Sequence, residues 1–253
     1  MVLKTLPTEL FHVDPSELKN DPHHLAPLLR SVIHYCRPER ILDATAGSGI
    51  TARVANDDII PCITHDLNDP SESQDLFAVH EPNGYDLVVY HPDLWRARPD
   101  GQHPHDLGAV MTWDAYVELN RDAIVHLAHQ TRPAGHLLVI APIARHRGEV
   151  HNLARDLQCV LGAPMEPEII HPHPFCRSRG TLYGKRFVPI AHDNVLLWTK
   201  EEVLLGAGLL DAGSEAADPM AVQASAGNES TADQGNARKA PRQRAPRMTQ
   251  IAS

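Results

Sequence analysis

The sequence has few cysteines and lacks the patterns that would make them structural. Its four cysteines are far apart in 253 residues and form no Cys-x-x-Cys pair. This spacing argues against a disulfide framework and a cysteine-type zinc site, and it fits a reducing compartment. No apolar run approaches the roughly 18 residues that a membrane helix needs, and no apolar signal-peptide core follows Met1. We therefore expect a cytoplasmic protein without a membrane segment.

Positive charge is also scarce, and the deficit is confined to one part of the chain. There are 23 Lys and Arg residues against 32 Asp and Glu residues, a formal charge of −9. Residues 211–253 contain equal numbers of both signs, so the first 210 residues carry the whole excess. At first sight this balance argues against binding to nucleic acid.

The C-terminal segment has the composition of a disordered tail. From residue 211 onward it has no aromatic residue and is rich in small and polar residues. Such a segment buries too little apolar surface to offset its ordering entropy, so we predict disorder over residues 206–253. Its basic residues are concentrated between Arg238 and Arg247, where they could contact phosphate or simply remain solvated.

The remaining chain alternates between strand patterns and helix patterns. Apolar strand-like runs occur at Arg40–Ala44, Ile59–Thr64, Asp86–Tyr90, His136–Ala141, Pro167–His171 and Asn194–Thr199. Amphipathic helical patterns occur at His24–Cys36, from Ile50 onward, at Thr112–Gln130 and at Val150–Leu161. This alternation is typical of a mostly parallel sheet covered on both faces. We predict one doubly wound, Rossmann-like α/β domain over residues 23–205, after an N-terminal extension of residues 1–22.

A glycine loop lies between the first predicted strand and the next helix. It reads Asp43-Ala44-Thr45-Ala46-Gly47-Ser48-Gly49. No Lys-Ser/Thr follows, which argues against a P-loop, and Ala52 stands where the dinucleotide-binding pattern has its third glycine. An aspartate four residues before the first glycine instead resembles a loop that binds S-adenosylmethionine. The alternative is a tight strand-to-helix turn without a ligand, in which Asp43 only caps the loop.

An acidic turn follows the second predicted strand. Asp66 lies about 20 residues beyond the glycine loop, where a carboxylate can accept hydrogen bonds from ribose hydroxyls. Asp69 is the second candidate, and a solvated acidic turn is the alternative for either residue. The predicted cofactor-binding residues are Asp43, Ala44, Thr45, Gly47, Gly49 and Asp66.

A second motif follows the third predicted strand and completes a resemblance. Residues 86–92 read Asp-Leu-Val-Val-Tyr-His-Pro, and they follow Ile-Leu-Asp-Ala-Thr-Ala-Gly-Ser-Gly at residues 41–49. With residues 132–140 and 184–198, these segments resemble S-adenosylmethionine-dependent DNA methyltransferases of the amino-methylating type, over residues 23–200. The resemblance implies a methyltransferase fold with an antiparallel C-terminal edge. It also implies methyl transfer from S-adenosylmethionine to adenine N6 or cytosine N4 in DNA.

In that family the catalytic loop reads Asp/Asn/Ser-Pro-Pro-aromatic, with a His-Pro-Pro-Tyr variant. Here the loop reads His91-Pro92-Asp93-Leu94-Trp95, so an aspartate replaces the second proline and the aromatic residue comes one place later. The resemblance implies that His91 and the Pro92 carbonyl hold the target amine while Trp95 stacks on a flipped base. The predicted catalytic residues are His91, Pro92, Asp93 and Trp95. Alternatively, the loop has lost transfer activity and the protein only binds cofactor, or the acceptor is RNA or another substrate.

Clusters of basic residues and histidines complete the candidates. A basic cluster at Arg177, Arg179, Lys185 and Arg186 is a possible DNA-contacting edge, and Arg145-His146-Arg147 is a weaker one. The pairs His103-x-His105 and His171-x-His173 lack the spacing of a helical metal motif. We therefore expect DNA as the partner and no metal.

Overall fold

The computed structural model describes residues 25–67, 75–78, 80–101, 103–172 and 192–210. The helices are α1 (Ala26–Cys36), α2 (Ile50–Asp57), α3 (Trp113–Gln130), α4 (Leu153–Leu161) and α5 (Lys200–Gly206), with 3-10 turns at Leu76–Ala78 and Leu107–Ala109. The strands are β1 (Ile41–Asp43), β2 (Cys62–Thr64), β3 (Tyr85–Tyr90), β4 (Thr131–Ala141), β5 (Ile143–His146), β6 (Glu149–Asn152), β7 (Ile169–Pro172) and β8 (His192–Thr199). No helix within these ranges has both the length and the apolar character needed to cross a bilayer.

Six strands form the main sheet in the order β2-β1-β3-β4-β8-β7. β1 pairs in parallel with β2 and β3, and β3 pairs in parallel with β4. β8 runs antiparallel to both β4 and β7. The predicted mixed α/β architecture, mostly parallel with an antiparallel C-terminal edge, is confirmed.

Helices cover both faces of the sheet, as the apolar strands require. Leu42 and Val88 belong to the cluster that packs with α3, α4 and α5. Ile41, Leu87 and Val89 belong to the opposite cluster, which packs with α1 and α2. Successive side chains of a strand point to opposite faces, so each central strand contributes apolar residues to both cores.

The chain leaves the two neighbouring strands β1 and β3 in opposite directions. From β1 it passes through α2 to β2, and from β3 it passes through α3 to β4 on the other side. The loops that leave the carboxyl ends of β1 and β3 therefore diverge. In open α/β sheets such a switch point creates the crevice in which ligands bind.

Two expectations about single elements need correction. The pattern at Val150–Leu161 predicted a helix throughout, but residues 149–152 form β6 of a hairpin and α4 begins at Leu153. Arg147 and Gly148 form the hairpin turn with φ values of 51° and 92°. A left-handed arginine is uncommon, so little in the sequence indicated this turn.

The packed body also continues beyond its predicted end. Residues 200–206 form α5, which begins with a capping box between Thr199 and Glu202. Ala207 and Leu210 then pack against the larger core. Residues 206–210 of the predicted tail thus belong to the body, whereas residues 211–253 and the extension of residues 1–22 lie outside the described residues.

Candidate active site

The glycine loop leaves the carboxyl end of β1 with a buried carboxylate at its base. Asp43 is 2 % exposed, and its Oδ1 accepts a hydrogen bond from the backbone N–H of Thr45 at 3.2 Å. Gly47 and Gly49 have φ values of 48° and 69°, a region that other residues rarely adopt. Among the residues that the structure describes, and apart from the chain neighbours of Gly49, no heavy atom lies within 4 Å of the position that a Cβ on Gly49 would occupy. The described part of the loop is therefore shaped by backbone and leaves space beside Gly49.

The loop is tied to the chain that follows β2. The backbone N–H of His65 donates to the carbonyl oxygen of Asp43 at 2.8 Å. The N–H of Ala46 donates in turn to the carbonyl oxygen of His65 at 2.9 Å. These bonds hold His65, the residue before Asp66, against the glycine loop, and the ribose-binding role of Asp66 stays a prediction.

Asp43 and Asp66 together make this end of the sheet electronegative. Burial raises the pKa of Asp43 to about 6, while hydrogen bonds from Thr51 and Thr45 act in the opposite direction. The negative charge of Asp66 raises this pKa further, which shows that the carboxylates interact. A cationic ligand beside the glycine loop would relieve this repulsion.

The loop after β3 contacts the glycine loop directly. The backbone N–H of His91 donates to the hydroxyl oxygen of Thr45 at 2.8 Å. One residue after β1, the N–H of Ala44 donates to the carbonyl oxygen of Val89 at 2.9 Å. The two sequence motifs, separated by about forty residues, therefore meet at the switch point of the sheet.

Polar groups of helix α3 contact the end of β3 and the loop that follows it, and the sequence did not predict these contacts. The Tyr116 hydroxyl donates to the carbonyl oxygen of Asp93 at 2.6 Å. The Tyr90 hydroxyl donates to Oδ1 of the fully buried Asn120 at 2.9 Å. An asparagine on the apolar side of a helix was the available sequence signal, since buried amides need hydrogen-bond partners.

The side chain of Asp93 is engaged in an ion pair. Its carboxylate pairs with Arg98, which also pairs with Asp106 at 3.0 Å. Asp106 is buried and accepts a hydrogen bond from the Gly108 N–H at 2.9 Å. Asp93 thus connects the segment after Pro92 to the following loop, and this role accounts for an acidic residue at that position.

Trp95 lies within an aromatic cluster. Its ring makes edge-to-face contacts with Trp113 at 5.3 Å, His146 at 5.3 Å and His151 at 4.9 Å between centroids. Its indole Nε1 is buried and has no hydrogen-bond partner among the described residues. Leu94, at the position where the family has its aromatic residue, is 49 % exposed. The β5–β6 hairpin supplies the two histidines; the sequence predicted His146 only as part of a weaker DNA-contacting edge and did not predict His151.

Arginines surround this cluster. The Arg96 guanidinium lies 5.8 Å from the centroid of the Trp95 ring. Partial burial lowers the pKa of His146, and the charges of Arg96 and Arg147 lower it further. Glu149 acts on this pKa in the opposite direction, and Asp156 accepts a hydrogen bond from Nε1 of Trp113 at 2.7 Å, so charges of both signs lie beside the cluster.

The structure brings together the predicted residues of both loops. Around the switch point lie Asp43, Ala44, Thr45, Gly47, Gly49, Asp66, His91, Pro92, Asp93 and Trp95. The alternative ribose contact Asp69 and the basic cluster at Arg177, Arg179, Lys185 and Arg186 lie outside the described residues. The roles of all these residues remain predictions.

No family model and no curated protein matches the sequence. Among solved structures, the chain is similar to a 1,6-didemethyltoxoflavin-N1-methyltransferase from Burkholderia thailandensis, solved with bound 1,6-didemethyltoxoflavin and S-adenosylhomocysteine. The identity is 15 %, the coverage 72 % of this chain and 80 % of that one, and the TM-score 0.44.

Two further similarities involve enzymes that act on nucleic acids. One is a 16S rRNA methyltransferase from T. thermophilus, solved with AdoMet and guanosine. The sequence identity is 18 %, the match covers 65 % of this chain and 36 % of that chain, and the TM-score is 0.35. The PvuII DNA methyltransferase, which is cytosine-N4-specific, is 14 % identical over 55 % and 49 %, with a TM-score of 0.38. The chain thus spans half or less of these two proteins. Similarities at this level assign neither a substrate nor a cofactor to it.

Proposed function

We propose that the protein is an S-adenosylmethionine-dependent methyltransferase that acts on an exocyclic amine of a nucleic-acid base, with DNA as the first candidate. The hydrogen bond from the His91 N–H to the Thr45 hydroxyl at 2.8 Å carries this proposal. This hydrogen bond joins the glycine loop, which is suited to the cofactor, to the loop after β3, which is suited to the methyl acceptor. Transfer between two bound groups requires such proximity, and orientation alone can supply much of the acceleration.

The glycine loop fits the proposed cofactor in shape and in charge. The open space beside Gly49 admits a ligand against the backbone. Asp43 and Asp66 favour the positive charge of a sulfonium and an ammonium group. In this proposal Asp66 accepts hydrogen bonds from the ribose hydroxyls. When bound, S-adenosylmethionine supplies an electrophilic methyl group.

The loop after β3 supplies the acceptor side. In the proposed mechanism a neutral His91 ring nitrogen and the Pro92 carbonyl oxygen accept hydrogen bonds from the two N–H groups of the amine. This arrangement favours a pyramidal nitrogen whose lone pair points toward the cofactor. Tyr116 and Arg98 keep the loop in position by holding the backbone and the side chain of Asp93, respectively.

Two arginines near Trp95 support an anionic acceptor. Arg96 and Arg147 lie close enough to His146 to lower its pKa, while Glu149 acts in the opposite direction. Phosphate groups flanking a target base would be attracted to these cations, whereas a cationic small molecule would be repelled.

A second candidate is a protein that binds cofactor without transferring a methyl group. Two observations favour it: Leu94 replaces the family's aromatic residue, and Trp95 is already packed against three rings. A flipped base would then lack a free stacking surface.

One experiment separates these functions. The full-length protein is incubated with tritiated S-adenosylmethionine and with duplex DNA, single-stranded DNA, RNA or protein, and labelled nucleic acid is analysed by nucleoside mass spectrometry. We expect N6-methyladenine or N4-methylcytosine, with loss of the product in His91→Ala and retention in His91→Asn, which keeps a hydrogen-bond acceptor. Cofactor binding by calorimetry without transfer to any acceptor would favour the second candidate. Absence of binding would overturn both.

A further inference from the structure

A cluster of side chains that could hold a metal ion lies apart from the glycine loop and from residues 91–95 of the candidate active site. Asp75, His103 and His105 each offer one ligand atom, and these atoms all lie within 4.8 Å of one another. Asp75 precedes the 3-10 turn Leu76–Ala78, whereas the histidines belong to the loop after β3. The sequence showed only an isolated His-x-His pair, because its third partner lies almost thirty residues earlier in the chain.

The donor set suits a first-row transition metal. Two imidazoles and one carboxylate are typical of zinc sites that keep a further position for water, whereas Mg²⁺ and Ca²⁺ prefer sets made of oxygen. Nδ1 of His103 accepts a hydrogen bond from the backbone N–H of His105 at 3.2 Å. An accepting Nδ1 is unprotonated, so neutral His103 carries its ring proton on Nε2 in this arrangement. Metal binding would replace this hydrogen bond: either Nδ1 coordinates the ion directly, or the proton moves to Nδ1 and Nε2 coordinates it.

Asp75 and His105 are held together in the geometry of a hydrogen bond. Oδ2 of Asp75 lies 2.6 Å from Nδ1 of His105. Neighbouring ligand atoms of a tetrahedral zinc ion with bonds of about 2.0 Å are about 3.3 Å apart. A bound ion would therefore displace the shared proton to solvent and require the two side chains to separate by less than about 1 Å.

Surrounding contacts orient the cluster. The Phe77 ring packs against His105 with 4.4 Å between centroids. The Asp106 N–H donates to the carbonyl oxygen of His103 at 3.0 Å, and the Asp106 carboxylate pairs with Arg98. Arg98 in turn pairs with Asp93. The cluster is thus connected to the segment after Pro92 through a short chain of polar contacts.

We propose that Asp75, His103 and His105 bind one divalent transition-metal ion, with water completing the coordination and Zn²⁺ as the preferred ion. The ion links the start of the Leu76–Ala78 turn to the loop after β3. It thereby stabilises the loop whose Asp106 and Arg98 hold Asp93. This inference does not depend on the proposed methyl transfer, because metal binding and protein stability report it directly.

The test uses the untagged full-length protein after treatment with a chelator. Zn²⁺ is titrated by calorimetry, the bound metal is counted by elemental analysis after gel filtration, and the thermal midpoint is measured with and without Zn²⁺. We expect one ion per chain, a higher midpoint with Zn²⁺, and no comparable effect of Mg²⁺ or Ca²⁺.

Variants assign the binding to the cluster. His103→Ala and Asp75→Asn should weaken Zn²⁺ binding at least tenfold and abolish the rise in the midpoint. The control His34→Ala removes an exposed histidine from α1 and should leave both unchanged. Equal Zn²⁺ binding by wild type and His103→Ala would overturn the proposal, as would absence of stoichiometric binding by the wild type. In either case Asp75 and His105 form only a hydrogen-bonded pair.

Discussion

The hydroxyl of Tyr116 donates a hydrogen bond of 2.6 Å to the carbonyl oxygen of Asp93, so a residue of helix α3 holds the backbone of the proposed catalytic loop. Tyr116 is fully buried beneath that loop. Burial raises the pKa of its hydroxyl, which therefore remains a hydrogen-bond donor over the usual pH range. The position of the loop thus depends on a contact between elements that are distant in sequence.

Replacement of Tyr116 by phenylalanine should loosen this loop. The change keeps the ring but leaves the Asp93 carbonyl without its donor, which should cost about 1–3 kcal/mol of unfolding free energy. Methyl transfer should fall more strongly than cofactor binding. The control Tyr85→Phe removes a hydroxyl that donates to Glu81 at the opposite end of β3, and it should affect stability but not transfer. Urea denaturation and initial rates measure the two effects; equal rates in both variants would contradict the assigned role.

The contact between the two motifs can be tested at Thr45. Thr45→Val keeps the shape of the side chain but cannot accept the His91 N–H. We expect the rate of methyl transfer to fall about tenfold, which corresponds to about 1.4 kcal/mol, because the two loops are no longer held in the same relative position. Thr45→Ser retains the acceptor and should restore most of the rate. Single-turnover assays at saturating cofactor make the comparison, and a Thr45→Ser variant as slow as Thr45→Val would count against the role of this hydrogen bond.

Asp43 should make stability depend on pH in an unusual direction for a carboxylate. Its pKa rises from 3.8 to about 6 in the folded protein, mainly through burial. Between these values the folded state holds more protons than the unfolded state, so this residue lowers stability as the pH increases from about 4 to about 6.

Asp43→Asn should remove that dependence. The free energy of unfolding of the variant relative to wild type should then increase by up to about 1.4 kcal/mol per pH unit within the window and level off above it. Asp58→Asn, at an exposed position after α2, should leave the pH profile unchanged. Denaturation curves measured from pH 4 to pH 7 provide the data, and parallel profiles of wild type and Asp43→Asn would refute the prediction.

Asp66 should contribute to cofactor affinity. Asp66→Asn removes the charge and one strong acceptor for ribose hydroxyls, so we expect binding of S-adenosylmethionine to weaken by about 10–100-fold, equivalent to about 1.4–2.7 kcal/mol. Asp58→Asn makes the same change in net charge at the amino end of β2 and should leave affinity within about twofold. Calorimetry with S-adenosylmethionine and S-adenosylhomocysteine measures both variants. Similar affinities for the two variants would exclude Asp66 as a ligand.

The arginine at the hairpin tip should contribute to binding of a nucleic acid. Arg147→Asn removes the charge while an asparagine still tolerates the left-handed backbone. We expect weaker DNA binding and a shallower dependence of log K on log salt, by about 0.9 for each phosphate that the protein no longer neutralises. Arg37→Asn is the matched control, since Arg37 also has a positive φ, of 48°, but lies before β1. Fluorescence anisotropy at several salt concentrations compares them, and identical salt slopes for both variants would argue against an interaction of Arg147 with phosphate.

Local sequence patterns were sufficient for the sheet and for the two loops. Apart from Asp43 and Asp86, the residues of strands β1 and β3 are apolar or aromatic because both faces are buried, and this pattern is visible in the sequence itself. Gly47 and Gly49 revealed the tight turn because few other residues adopt their backbone conformation.

Tertiary structure alone decided what surrounds those loops. Three contacts join residues whose spacing follows neither the helix nor the strand period. Asp93 pairs with Arg98, Asp75 lies near the histidine pair, and His151 packs on Trp95. The β5–β6 hairpin depends on a left-handed arginine that propensity disfavours. The sequence by itself therefore determined where the central apolar strands and the glycine turn lie along the chain, because these depend on local torsions and burial. The folded sheet brings distant segments together at the carboxyl ends of its strands, and this arrangement decides the partners of each candidate site residue.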